Sequence, residues 1–211
     1  MNSEITLSAD ELFYLGKLMH AKYIDYAYIV CRDDSADDFQ MREKTVKQSL
    51  IKKEFIFESF TGKVEVEESV TELLLPIFEG AKETSLNMCT VGEKARADIL
   101  KFHFWQDKIT MVKANNGQLT LKGISADELG KIVSDIFFDV SEFAGEEKIV
   151  REGIQDVSSL VAIKSVILEK KSVIYVVAKF DGIWFLDKGA SVFESIRREE
   201  LIDLIVKLFK E

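Results

Sequence analysis

The sequence predicts an α+β protein in which an antiparallel sheet, built from a duplicated strand-strand-strand-helix unit, is flanked by helices. Three observations predict it. The pentapeptide SADEL occurs twice, at Ser8–Leu12 and Ser125–Leu129, each time after an apolar residue and before an apolar stripe. The hydrophobic texture changes at Glu83 from helical spacing to alternation with period two. A hairpin, a further strand and a helix then recur in the same order. The chain reads as one domain over residues 1–211: an N-terminal helical part (1–82), a first β-meander plus helix (83–143) and a second (144–211).

Each SADEL is a helix start. Serine at the N-cap and glutamate three positions on form a capping box, and the aspartate between them faces the positive end of the helix dipole. After the first copy, Leu12, Leu15 and Met19 share a face. A second helix is expected from about Ala36 to Ile51 and a third from about Val66 to Leu75, which Pro76 should kink or end. FIFESFTGKVEV between them reads as a loop or a small β-ribbon.

From Glu83 onward, LKFHFW and KITMVK alternate around a turn at Gln106-Asp107. A three-residue loop at Asn115-Asn116-Gly117 would set Met111 opposite Leu121 and Lys113 opposite Leu119. That register gathers Leu100, Phe102, Phe104, Ile109, Met111, Leu119 and Leu121 on the core face. The second SADEL helix carries the stripe Leu129, Ile132, Val133, Ile136, Phe137 and Val140. Past the charged joint AGEEKIVREG, SLVAIKSVILEK and SVIYVVAKF read as strands, and Asp181-Gly182 turns the chain into IWFLD. A last helix holds Leu201, Leu204, Ile205, Leu208 and Phe209. Aligning Ile109 with Ile183 pairs Met111 with Phe185; after a two-residue gap Leu129 meets Leu201 and Ile136 meets Leu208. The match is the basis for reading a duplication.

The net charge is −9, with ten Lys/Arg against seventeen Asp/Glu in residues 1–83 and eighteen against twenty thereafter. Such a surface repels phosphate backbones, so general binding to nucleic acid or to anionic membranes is disfavoured. The N-terminus lacks a basic region followed by an apolar run, and no segment is apolar for the roughly 18 residues of a membrane helix. Cys31 and Cys89 have no metal or redox spacing. A cytoplasmic protein with reduced thiols, no cofactor and no metal is expected.

Catalytic patterns are absent. No glycine-rich phosphate cradle, G-x-S-x-G, HExxH or CxxC occurs. CRDDSADDF fails as a calcium loop, because Asp38 and Lys44 stand where glycine and glutamate are needed. His20 reads as a residue that meets the last carbonyls of the first helix, and His103 as an outer-face strand histidine. Residues 40–75 mimic part of a winged helix, and Arg42–Lys63 is mildly basic, so a small DNA-binding or regulatory module is the alternative function. No recognition helix rich in Arg, Asn or Gln follows.

With the core face set as above, Trp105, His103, Thr110 and Val112 point outward in the first unit, and Lys179, Trp184, Val177 and Leu186 in the second. Two tryptophans there form either a second core layer beneath the N-terminal helices or interface anchors. The candidate partner-binding residues are Trp105, His103, Thr110, Val112, Lys179, Trp184 and Leu186.

ITLSADELFYLGKLM, VKQSLIKKEFIF and GKVEVEESVTELLLPIF together resemble the N-terminal pattern of the EspG-type chaperones of type VII (ESX) secretion. That pattern is a short strand, an L-x-x-D-E-L helix, an L-x-x-x-G-(I/L) segment, a G-x-V turn and an apolar helix. The chain is also similar to the shorter accessory proteins of Firmicutes type VII systems, of the EsaE kind. It departs from the pattern at Lys53-Glu54, where the family favours glycine. The resemblance implies a pseudo-two-fold α+β fold. It implies a non-enzymatic chaperone or adaptor that binds a helical secreted substrate and keeps it export-competent, with the secretion ATPase as a second partner.

Overall fold

The computed structural model describes residues 4–29, 39–90, 96–115, 117–136, 150–152, 159–167, 172–180, 183–189 and 192–210. The fold is α+β, a large antiparallel sheet flanked by helices. In chain order the elements are β1 (Glu4–Ser8), α1 (Ala9–Leu18), α2 (Tyr26–Ile29), α3 (Phe39–Lys52), β2 (Ile56–Glu58), β3 (Val64–Val66), α4 (Glu68–Phe78), β4 (Lys82–Thr90) and β5 (Arg96–Trp105). They continue as β6 (Lys108–Asn115), β7 (Gln118–Ile124), α5 (Ala126–Ile136), β8 (Val150–Glu152), β9 (Ser159–Ile167), β10 (Val173–Phe180), β11 (Ile183–Asp187), β12 (Val192–Ser195) and α6 (Arg198–Lys210). Two compact units emerge, Met1–Ala81 with His103–Ile124, and Lys82–Phe102 with Ser125–Glu211.

In the first unit the strand order is β1-β7-β6-β5, with β2 and β3 as a separate ribbon. Both readings of FIFESFTGKVEV thus resolve to a ribbon, in which Ile56 pairs with Val66 and Glu58 with Val64. The core gathers Leu7 of β1, Leu12 and Leu15 of α1, Leu50 of α3, Ile56, Leu74 and Ile77 of α4, and Val112 and Leu121 of the β6–β7 hairpin. Pro76 sits inside α4 without ending it, since the helix runs on to Phe78 and the Glu79 amide still bonds the Leu75 carbonyl at 2.8 Å. A proline in the last turn forfeits one hydrogen bond and leaves the turns before it intact.

The register of the β6–β7 hairpin corrects the sequence reading. Asn115 pairs with Gln118, so the connection is two residues long and not three. Val112 therefore faces Leu121, and Met111 faces Lys122. A slip of one residue exchanges the two faces of a strand. Thr110 and Val112, expected outward, lie inward, and Ile109 and Met111 are only half-buried. The inward hydroxyl of Thr110 is satisfied by donating to the Leu73 carbonyl of α4 at 2.8 Å.

Both capping boxes form. Ser8 Oγ accepts from the Glu11 amide at 3.1 Å and Glu11 accepts from the Ser8 amide at 2.8 Å. Ser125 and Glu128 repeat the exchange at 3.1 Å each way. Glu11 is buried, and its carboxylate also accepts from Lys53 Nζ at 2.7 Å and from Ser49 Oγ at 2.8 Å. Burial alone would raise its pKa, but the bonds from Lys53, Ser8 and Ser49 outweigh it and hold the carboxyl below its ordinary value.

The two helices that flank this network end alike. At α1 the Ala21 amide bonds the Gly16 carbonyl at 2.8 Å and the His20 amide that of Lys17 at 3.3 Å, with His20 at φ 53°. At α3 the Phe55 amide bonds the Leu50 carbonyl at 2.9 Å and the Glu54 amide that of Ile51 at 3.0 Å, with Glu54 at φ 60°. Both are Schellman closures whose left-handed residue would ordinarily be glycine. His20 thus closes α1 through its backbone. Glu54 occupies the place where the resembled pattern has glycine.

In the second unit the order is β5-β4-β9-β10-β11-β12-β8. Phe180 pairs with Ile183, so the chain turns through the two residues Asp181-Gly182, which lie outside the described residues. Helix α6 buries Leu201, Ile205, Leu208 and Phe209, and Phe102 meets Phe209 edge-on at 5.3 Å. Leu129 and Val133 of α5 are buried, whereas Phe137 and Val140 of the expected stripe fall outside the described residues. The element order strand-strand-strand-helix occurs as β5-β6-β7-α5 and as β10-β11-β12-α6.

Two outcomes are expected in urea unfolding. Glu11→Ala should cost about 1–3 kcal/mol, because it leaves the Ser49 hydroxyl and the Ser8 amide without their acceptor and removes the partner of Lys53, while Glu128→Ala costs no more than about 1 kcal/mol. Because the folded Glu11 pKa lies below its unfolded value, the difference persists above the unfolded pKa and disappears as pH falls through the folded one. Glu54→Gly should raise stability by about 0.5–1 kcal/mol by relieving the left-handed strain.

Candidate functional site

The sequence-predicted binding residues separate by unit. In the first, His103 is 3% exposed, and its Nε2 lies 2.6 Å from the hydroxyl of Tyr28 on α2, with the rings 5.7 Å apart. Thr110 holds α4 through Leu73, Val112 packs in the core, and Trp105 is half-buried. These residues fasten helices to the sheet. In the second unit Trp184 is 4% exposed with Lys179 Nζ 6.0 Å from its ring centroid, and Leu186, opposite Val177, is 5% exposed. The outward orientation expected for His103, Thr110, Val112, Trp184 and Leu186 is thereby corrected: all are buried.

In the first unit the cause is the hairpin register. In the second it is the composition of β11, where Trp184, Phe185 and Leu186 are all buried. A strand apolar on both faces has no period-two signal from which to choose the outer one.

The other parity of the second unit is exposed only in part: Ala178, its β11 partner Phe185, and Ser85 of β4 are buried on it. Along β9, Val161 and Ile163 are buried, while Leu160 and Lys164 are exposed. Register carries that parity to the neighbours: Leu160 faces Cys89 of β4 and Ala178 of β10, Ala162 faces Asn87 and Val176, and Lys164 faces Ser85 and Ile174. Glu83, two places before Ser85, bonds Lys101 of β5 at 2.9 Å, which sets Lys101 and hence Ile99 on the same side. Ile99, Leu160 and Ile174 are 45%, 36% and 59% exposed. Between Leu160 and Ile174 on this parity lie Ala162 and Val176, with Ala178 beside Leu160 and Ser85 beside Lys164.

A solvated sheet face is normally polar. Single exposed aliphatics are ordinary; these three stand on β5, β9 and β10, with β4 between the first two and with Lys164 opposite Ile174. Lys164 adds one cation. The face holds no set of groups placed for catalysis, and among the described residues no group of three or more His, Cys, Asp or Glu could hold a metal ion. CRDDSADDF lies outside the described residues except for Phe39. The legible signal was Lys164, the one charge in SLVAIKSVI, which marks its own parity as the outer one.

No family profile and no curated protein matches the chain. Among solved structures it is similar to the Mycobacterium tuberculosis type VII secretion system chaperone EspG5, determined in complex with a PE25–PPE41 dimer. The TM-score is 0.65 at 8% identity, over 98% of this chain and 95% of that one. The likeness is one of fold, and it extends along nearly the full length of both.

Burial and exposure predict opposite responses to substitution on the two faces of the second unit. Trp184→Ala should cost about 3–5 kcal/mol in denaturant unfolding. Ile174→Ser and Leu160→Ser should each change stability by no more than about 0.5 kcal/mol.

Proposed function

We propose that the protein is a non-enzymatic cytoplasmic chaperone or adaptor that binds a helical type VII secretion substrate, covers its apolar tip and keeps it export-competent. The observation that carries this reading is the similarity of fold to EspG5 over nearly the whole chain, and the exposed aliphatics Ile99, Leu160 and Ile174 of the second unit are the surface it would use. A chaperone needs surface complementary to an apolar segment and no turnover, so burial of that segment supplies the affinity. Lys164 would set the polarity of the bound tip by meeting a carboxylate or the carbonyl end of a helix. The duplicated strand-strand-strand-helix order is part of the same reading, as is hand-over to the secretion ATPase.

The DNA-binding alternative needs α4 as the helix that reads a groove. Val70, Leu73, Leu74, Ile77 and Phe78 of that helix are buried, so its apolar face is spent on the core of the first unit.

Co-expression with a helical-hairpin secretion substrate of the same host tests the proposal. The wild-type chain should co-elute with it as a stable complex, with a negative heat-capacity change in calorimetry. Ile174→Asp and Leu160→Asp should weaken the complex at least about tenfold, the effect of some 1.4 kcal/mol. Failure of wild type to bind any such substrate, or equal binding by the folded variants, would reject it.

A further inference from the structure

We draw no further inference here: the strongest candidate, the exposed aromatic tip of the β2–β3 ribbon at Phe57 and Phe60, carries none, because Glu65 pairs across from Phe57, the neighbouring Lys47, Lys53 and Lys63 each meet a glutamate, and nothing in the structure shows what covers it.

Discussion

The carboxylate of Glu11 is the point on which the first unit is organised. It closes the capping box that turns β1 into α1, and it receives Ser49 and Lys53 from the far end of α3. Lys53 also donates to the Thr6 carbonyl at 3.2 Å, on the strand that opens the chain. A buried anion is costly unless each lone pair is met, so the geometry of β1, α1 and α3 is fixed jointly. The angle at which α3 hands the chain to the ribbon, and so where Phe60 is held, follows from that fixation. The identical pentapeptide at Ser125 closes its own capping box at the start of α5.

Local chemistry was readable to the extent that it was decided locally. The capping boxes, the helical stripes of Leu12 and Leu201, the turn at Gln106-Asp107 and the position of the ribbon are set by neighbours in sequence. The face of each strand was not. At KITMVKANNGQ a two-residue turn was read as three, and one position of register exchanged Thr110 and Val112 with Ile109 and Met111. The threonine offered a polar mark that pointed the wrong way, because its acceptor is a backbone carbonyl of α4 that no local pattern announces. At β11 the pattern was silent, all three central residues being apolar.

That history locates the candidate site. Of the residues proposed as contacts, His103 and Thr110 hold helices to strands, and Trp184 and Leu186 are buried. The exposed aliphatics come from the plainest part of the sequence, SLVAIKSVI and SVIYVVAKF, where Leu160 and Ile174 are distinguishable from their buried neighbours only through pairing. An exposed aliphatic surface carries no motif. Its legibility depends on knowing which strands are neighbours.

The way the two units share the chain bears on how the protein is made. The first unit is completed by residues 103–124, and its β1 pairs with β7, more than a hundred residues later in synthesis. Leu7 and Leu12 therefore leave the ribosome long before Leu119 and Leu121 exist to cover them. At about 5–20 residues per second the nascent segment waits some seconds with its apolar face open. Antiparallel closure over such a span is entropically slow as well. The chain thus passes through an interval in which its own first eighty residues need shelter, and truncation at any point before Ile124 would make that interval permanent.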